Sequence, residues 1–197
     1  MIVVGLTGSI AMGKSAVAAK FAEFGVPTFS ADDAVREFYA GEGAKVVEAA
    51  FPGVMVEGGI DRERLAARVL GDADALQRLE GLVHPAVAKA RAQFVERAAA
   101  AGRRMAIVEV PLLFETGGHS DVDLVLVVSA PESVQRTRAM ARPGMTEAKL
   151  EAVLSRQASD AKKRHGAHFI IDTGGSHDST RAVIGQFMRA VAALTGG

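Results

Sequence analysis

The chain has 197 residues, 49% hydrophobic and 23% charged, which predicts one compact globular domain with room for a small insertion and excludes an intrinsically disordered protein. Its 23 basic and 23 acidic side chains balance, so no overall field favours a nucleic-acid partner or a membrane partner. Because cysteine is absent and no apolar run reaches the about 20 residues of a membrane helix, we exclude disulfides, thiolate metal sites and a cysteine nucleophile, and expect a cytoplasmic protein.

A strand, a glycine-rich loop, a helix and a second strand are predicted at the start of the chain. Residues 2–6 are apolar and β-branched, which indicates a buried strand, and a helix is expected to begin after Gly13. Gly25 and Pro27 interrupt the helical pattern, and residues 26–29 form a short second strand. This order is that of a β-α-β unit.

Residues 33–101 are predicted to form an all-helical insertion. Helical periodicity runs through residues 62–70 and 75–83, and no part of the segment shows a convincing strand pattern. A last helix is expected to begin at His84-Pro85 and to run to the end of the segment, because a proline at the first helical position has no amide hydrogen to lose.

Parallel-sheet signals resume after the insertion. Three further buried strands are predicted, at residues 105–110, 122–128 and 167–171. Helices are predicted at residues 131–141, 146–163 and 179–194, and residues 195–197 are expected to be a disordered end. Five parallel strands alternating with helices predict an α/β fold with helices on both faces of the sheet.

A phosphate-binding loop lies between the predicted first strand and first helix. The segment reads Gly8-Ser9-Ile10-Ala11-Met12-Gly13-Lys14-Ser15, which fits G-x-x-x-x-G-K-[ST] in full, and Ala16 follows it. Its glycines let successive amides point inward, and the helix start adds partial positive charge where phosphates bind. The loop therefore predicts that residues 8–16 bind a nucleoside triphosphate, with Lys14 on the β- and γ-phosphates and the Ser15 hydroxyl on Mg²⁺. A glycine-rich turn with an exposed lysine is the alternative.

The missing residue types narrow the class of nucleotide-binding protein. Switch-type GTPases read their base with an Asn-Lys-x-Asp motif, and this chain has no asparagine. Small-molecule kinases are therefore the leading class.

Four further segments resemble the dephospho-CoA kinase family. They are Gly5-Leu6-Thr7-Gly8, Ser30-Ala31-Asp32, His84-Pro85 and Val110-Pro111-Leu112-Leu113-Phe114-Glu115, and the similarity continues through residues 142–146, Gln157, Lys163 and residues 170–172. The resemblance covers nearly the whole chain. It implies transfer of the ATP γ-phosphoryl group to the ribose 3′-hydroxyl of dephospho-CoA, which makes ATP and dephospho-CoA the substrates and Mg²⁺ the cofactor.

The resemblance also implies a three-layer P-loop NTPase fold like that of nucleoside monophosphate kinases, with a five-stranded parallel sheet. The nucleotide-binding core would comprise residues 1–32, 103–135 and 164–197. Residues 33–102 would form the helical insertion that binds the acceptor, and residues 136–163 a small lid.

Acceptor-site residues follow from the same resemblance. Asp32 would face the acceptor hydroxyl as a general base that acts largely by orienting it. Alternatively, Ser30, Asp32 or Asp33 only caps the following helix. His84, Pro111 and Leu112 would line the acceptor site, although a histidine can cap a helix and an apolar loop can serve packing alone.

Lid arginines and one carboxylate complete the expected site. Arg138 and Arg142 would contact ATP, and Arg142 would stabilise developing charge, because a guanidinium suits bidentate contact with phosphate oxygens. Arg136 lies on the same helix, and a solvated surface role is the alternative for all three. Glu109 would meet the acceptor or, through water, Mg²⁺, with a helix-cap contact as the alternative.

Three positions depart from the family pattern. The family often has a second aspartate where this chain has Ser30, so the task of that group must be done differently here. It also tends to have aspartate and asparagine where this chain has His168 and Thr173, positions that bear on the adenine-side contacts. Two rival functions are a kinase of another small acceptor, such as a nucleoside monophosphate, and an ATP-dependent binding switch. The sequence carries no signal for the oligomeric state or for ATP against GTP.

Overall fold

The computed structural model describes residues 1–194, apart from the side chains of His119 and Ser120. The disordered end expected at residues 195–197 lies outside this range. The chain forms two compact units, Met1–Phe29 with Arg97–Gly197, and Ser30–Glu96.

Strands and helices alternate along the chain. The strands are β1 (Ile2–Thr7), β2 (Thr28–Ser30), β3 (Met55–Val56), β4 (Gly59–Ile60), β5 (Met105–Glu109), β6 (Leu124–Ser129) and β7 (Phe169–Asp172). The helices are α1 (Lys14–Glu23), α2 (Ala31–Ala40), α3 (Gly43–Ala50), α4 (Arg62–Val69), α5 (Ala73–Ala100), α6 (Glu132–Met140), α7 (Glu147–Leu154), α8 (Asp160–His165) and α9 (His177–Leu194). A 3₁₀ turn covers Gly118–Asp121.

The first unit is built on a five-stranded parallel sheet in the order β2-β5-β1-β6-β7, which confirms the predicted α/β fold class and all five strands. Strand β1 is central and pairs with β5 and β6. Parallel sheets present ligands at the carboxyl ends of their strands, where the order of strands changes direction. The loops that follow β1, β5, β6 and β7 are therefore where a site is expected.

Alternate residues of the strands supply the two faces of the sheet. On one face Leu6, Ile107 and Leu126 are buried in a cluster with α1 and α9, where the rings of Phe21 and Phe187 meet edge to face at 5.8 Å. A second cluster includes Leu113, Val125 and Val127. Because β-branched and aliphatic side chains are buried on both faces, the strands read as continuous apolar runs in the sequence.

The helix predicted at residues 146–163 is wrong, because the structure has two helices there, α7 and α8. Thr146 caps α7 by accepting a hydrogen bond from the backbone N–H of Lys149, and Ser159 caps α8 by accepting one from Lys162. A serine hydroxyl that satisfies a free amide at a helix start favours a break over a continuous helix.

In the second unit, helices α2 to α5 surround a separate apolar core that includes Val47, Phe51, Leu65 and Leu79. The all-helical prediction is wrong at one place, because β3 and β4 form a small antiparallel hairpin. Its turn uses Gly58 and Gly59, whose φ values of 92° and 134° favour glycine.

The predicted helix start at His84-Pro85 is also wrong, since both residues lie inside the 28-residue helix α5. Proline removes one helical hydrogen bond and crowds the carbonyl four residues earlier, which here belongs to Gly81. On either side of the proline, Val83 is buried in the apolar core and Val87 packs against it, which favours continuation of the helix.

None of the helices within residues 1–194 combines the length and the apolar character that crossing a bilayer requires.

The structure predicts that Gly8→Ala lowers the free energy of unfolding by about 1–3 kcal/mol, because an added Cβ would lie 2.6 Å from the carbonyl oxygen of Val128. The matched control is Gly81→Ala on an exposed part of α5, where no atom lies within 4 Å of an added Cβ. This control is expected to be neutral or to stabilise by about 0.5–1 kcal/mol. Urea unfolding measures both, and equal destabilisation of the two variants would contradict the prediction.

Candidate active site

The phosphate loop connects β1 to α1 and follows the turn that its sequence predicts. Ala11 has a φ of 61°, the one positive φ among the non-glycine residues described, and Gly13 has a φ of 92°. The Met12 N–H donates to the Ser9 carbonyl at 3.2 Å. Helix α1 begins directly at Lys14, so its free N-terminal amides lie at the end of the loop, as anion binding requires.

Lys14 and Glu109 form an ion pair at the carboxyl ends of neighbouring strands. The Lys14 Nζ lies 2.5 Å from the Glu109 Oε2, and the two side chains are only 15% and 10% exposed. Strand register brings them together, since Glu109 pairs with Leu6, just before the loop. Removing one partner of such a pair leaves a poorly solvated charge, so Glu109 holds the lysine charge at this position.

Side chains from distant parts of the chain hold the loop backbone. The Ile10 N–H donates to Gln157 Oε1 at 3.0 Å, and Gln135 Nε2 donates to the Ile10 carbonyl at 2.8 Å. Lys163 Nζ donates to Ser9 Oγ at 3.1 Å. The sequence alone did not predict a function for Gln135, Gln157 or Lys163, although Gln157 and Lys163 are among the positions that resemble the family.

Lys163 is completely buried, and its charge is paired with Glu115. The Lys163 Nζ lies 3.1 Å from Glu115 Oε1, which also accepts a hydrogen bond from the Ala158 N–H at 2.7 Å. Burial by itself raises the pKa of the Glu115 carboxyl, but the Ala158 amide and the Lys163 ammonium outweigh it and leave the pKa below its usual range. Glu115 is therefore ionised at neutral pH.

A cavity of about 360 Å³ lies beside the loop and contains both lid arginines predicted to contact ATP. Its walls come from the loop and α1, from α6 and the turn after it, and from the segment after β7. They comprise Ala11, Gly13, Ala16, Val17, Lys20, Arg138, Arg142, Thr173, Gly175, His177 and Thr180. The volume and the position next to a phosphate loop suit the base and sugar of a nucleotide.

The three lid arginines have different surroundings. Arg138 donates to the hydroxyl and to the carbonyl of Thr173, at 3.0 and 2.7 Å, while Arg142 is exposed in the turn after α6. Arg136 instead contacts Glu132, Glu147 and Glu151, which raise the pKa of its guanidinium. Because Arg136 is paired with three carboxylates, two of them on α7, it joins α6 to α7. It does not line the cavity.

His168 has a local structural use. Its Nδ1 accepts a hydrogen bond from the Val125 N–H at 3.0 Å, and its own N–H donates to the Val125 carbonyl at 2.9 Å. The imidazole thus extends the pairing of β6 with β7 at this departure from the family pattern.

The second unit has its own cavity, of about 550 Å³. It is lined by Asp32, Val35, Tyr39, Arg62, Leu65, Ala66, Val69 and Leu79. The Arg62 guanidinium lies 5.9 Å from the centre of the Tyr39 ring, and burial raises the pKa of the Tyr39 phenol while Arg62 opposes the shift. Tyr39 could not be selected from the sequence, because an isolated tyrosine on a helix has no distinctive spacing.

Asp32 is exposed in the first turn of α2, whose cap is Ser30. The Ser30 Oγ accepts the Asp33 N–H at 3.2 Å, and Asp33 pairs with Arg36. The alternative that a residue here caps the helix is therefore confirmed for Ser30 and wrong for Asp32 and Asp33, and the Asp32 carboxylate lines the cavity.

The remaining predicted acceptor residues do not line that cavity. His84 is exposed within α5, so its alternative role as a helix cap is wrong. Pro111 and Leu112 lie in the turn after β5 in the first unit, where the Pro111 carbonyl accepts from Thr7 Oγ1 at 3.4 Å and Leu112 is 43% exposed.

Replacing Glu115 tests the charge behind the loop. A carboxyl whose folded pKa is depressed stabilises the fold above its unfolded pKa of about 4.3, and this stabilisation is lost as the pH falls through the folded pKa. Glu115→Gln is therefore expected to unfold more easily at pH 7 and to lose part of the wild-type decline in stability below about pH 4.5.

Urea unfolding at pH 7, 4.5 and 3.5 measures this effect. Lys163→Met is the comparison variant, because it removes the partner charge and keeps the carboxyl. Parallel stability curves for wild type and Glu115→Gln across these pH values would show that Glu115 has no such linkage.

A family model described as dephospho-CoA kinase matches residues 2–178. Among curated relatives, a dephospho-CoA kinase of Mesorhizobium japonicum is 54% identical over 184 residues, 93% of each chain. A dephospho-CoA kinase of Brucella melitensis is 50% identical over 188 residues, 95% of this chain and 94% of the relative.

Solved structures share the fold. A Thermus thermophilus protein superposes with a TM-score of 0.81 and 31% identity, covering 100% of this chain and 98% of its own. A dephospho-CoA kinase from Campylobacter jejuni superposes with a TM-score of 0.69 and 25% identity, and 96% of each chain is covered. A shikimate kinase from Acinetobacter baumannii superposes with a TM-score of 0.56 and 14% identity, covering 100% of this chain and 96% of its own. This likeness shows the fold alone.

Proposed function

The chain belongs to the dephospho-CoA kinase family, and we propose that it transfers the γ-phosphoryl group of ATP to the ribose 3′-hydroxyl of dephospho-CoA, producing coenzyme A. It is an ATP-dependent phosphotransferase with an alcohol acceptor. The observation that carries the proposal is the phosphate loop, complete in sequence and folded against the start of α1, in a chain 54% identical to a dephospho-CoA kinase.

On the donor side, residues 8–16 bind the phosphates of ATP, and Lys14 transfers its contact from Glu109 to the β- and γ-phosphates. Anionic phosphate oxygens can replace the carboxylate because they offer the ammonium the same charge-assisted hydrogen bonds. Arg138 and Arg142 bind ATP from the lid side of the cavity, and Arg142 stabilises the charge that develops on the transferred group.

The residues present fit Mg²⁺. The described residues contain no cluster of three or more histidine, cysteine or acidic side chains able to hold a metal. We propose that Mg²⁺ is held mainly by nucleotide and water, and that Ser15 and Glu109 supply protein oxygen donors of the kind that Mg²⁺ prefers. When bound, Mg²⁺ neutralises phosphate charge.

On the acceptor side, Asp32 orients the 3′-hydroxyl and accepts its proton as the oxygen attacks phosphorus and ADP departs. Support comes from its free carboxylate at the wall of the second cavity. Phosphoryl transfer has a loose transition state, so positioning contributes more than proton removal. His84, Pro111 and Leu112 complete the proposed acceptor site.

We propose a separate function for each part of the chain. Residues 1–32, 103–135 and 164–197 bind nucleotide, residues 33–102 bind the acceptor and residues 136–163 serve as the lid. A cytoplasmic location and the lack of a nucleic-acid partner stay predictions from composition.

The proposal is tested by incubating the protein with Mg-ATP and dephospho-CoA and following the acceptor by mass spectrometry. One added phosphate on the ribose 3′-oxygen is expected, at about 1 per second or faster. Lys14→Ala should abolish turnover, while Lys162→Ala, an exposed lysine on α8, should not.

Three results would contradict the proposal or its site. Phosphorylation of another small alcohol or nucleotide instead would change the acceptor. ATP hydrolysis that depends on a protein partner, without a phosphorylated small molecule, would favour a binding switch. Normal turnover by a folded Lys14→Ala variant would refute the assigned phosphate site.

Asp32→Asn is expected to lower kcat by about 100-fold or more while ATP binding survives, because the neutral amide orients the hydroxyl less firmly than the carboxylate and cannot accept its proton. Asp33→Asn is the matched control, because the Asp33 carboxylate lies next to Asp32 in the chain but is paired with Arg36 on the surface. Steady-state kinetics with calorimetric ATP binding separate the two effects. Weak ATP binding with normal turnover at saturation would remove Asp32 from this role.

A further inference from the structure

Thr173 lies immediately after β7 and connects two parts of the nucleotide cavity. It is 7% exposed. Its Oγ1 donates to the carbonyl of Met12 in the phosphate loop at 2.7 Å. On the other side, Arg138 donates through Nη1 to this hydroxyl at 3.0 Å and through Nη2 to the Thr173 carbonyl at 2.7 Å.

A threonine hydroxyl has one hydrogen and two lone pairs, so its bonds are directional. The short contact to the Met12 carbonyl takes the hydrogen, and a lone pair remains for the Arg138 guanidinium. The hydroxyl therefore acts as donor toward the loop and as acceptor toward α6. No apolar side chain of the same shape can replace either bond.

The loop approaches Thr173 closely. A Cβ added to Gly13 would lie 3.3 Å from Thr173 Oγ1, so the glycine and the threonine are packed against each other. Gly13 directly precedes Lys14 and the first turn of α1. A shift of Thr173 would therefore be transmitted to the part of the loop that presents its amides to phosphate.

Two contacts with Thr173 also fix the plane of the Arg138 guanidinium. Arginine has five donors in a rigid arrangement, and two of them are used here, which leaves the others for a ligand in the cavity that Arg138 and Thr173 both line. A guanidinium held in this way loses less conformational freedom when it binds a nucleotide.

We propose that Thr173 is a positioning residue for ATP, which acts by holding the Met12 carbonyl and by orienting Arg138 in the nucleotide cavity. This inference rests on the proposed ATP site. It gives a function to a buried hydroxyl beside the proposed ATP site.

The test compares two substitutions. Thr173→Val keeps the shape and removes the hydroxyl, and is expected to weaken Mg-ATP binding about tenfold through the loss of a charge-assisted hydrogen bond, with the KM for dephospho-CoA little changed. Thr173→Ser keeps the hydroxyl and should restore most of the affinity. Calorimetry with Mg-ATP measures binding independently of the acceptor, and urea unfolding checks the fold.

A double-mutant cycle tests the route through Arg138. Thr173→Val should weaken ATP binding less in an Arg138→Met background than in the wild type, because its partner is already absent. Unchanged ATP affinity in Thr173→Val, equal defects in Thr173→Val and Thr173→Ser, or fully additive effects with Arg138→Met would each overturn the inference.

The same series distinguishes this inference from the proposed function. If the wild type binds Mg-ATP with this dependence on Thr173 but phosphorylates no dephospho-CoA, the proposed function fails and the role of Thr173 stands. If the wild type forms coenzyme A and Thr173→Val behaves as wild type, the opposite holds.

Discussion

A phosphate loop gathers a lysine, a helix start and several inward-facing amides at one point, and this concentration of positive charge must be balanced before phosphate arrives. In this protein Glu109 provides the balance, 2.5 Å from Lys14 and slightly more buried. The parallel register of β1 with β5 places the carboxylate there. The central pairing of the sheet thus determines where the charge of the site lies, and in the proposed reaction an incoming phosphate takes the place of the carboxylate.

The shape of the loop depends on residues far away in the sequence. Ile10 contacts Gln135 and Gln157, which are 125 and 147 positions later, and Ser9 contacts Lys163, 154 positions later. A loop in which Ala11, a residue with a Cβ, has a φ of 61° needs such outside support. Two of these anchors, Gln157 and Lys163, belong to the segment proposed as the lid, so hydrogen bonds join that segment to the phosphate loop.

Much of the fold could be predicted, because its signals are local. The five strands are short apolar runs, and the phosphate loop is a complete motif at the right place. The places where helices begin and end were harder to predict. Pro85 is tolerated inside α5 because the residues around it pack into a core. Ser159 caps α8, but a single serine in the sequence does not reveal this. Contacts such as that of Arg138 with Thr173 leave no spacing pattern, since the fold alone brings them together.

The central claim is that the loop around Lys14 holds the donor and Asp32 holds the acceptor hydroxyl. A crystal structure of the protein with a non-hydrolysable ATP analogue, Mg²⁺ and dephospho-CoA tests it most directly. The account predicts β- and γ-phosphates in the loop with Lys14 released from Glu109, and the ribose 3′-oxygen within hydrogen-bond distance of Asp32. Phosphates bound elsewhere, or a 3′-oxygen remote from Asp32 with the γ-phosphate in place, would contradict it.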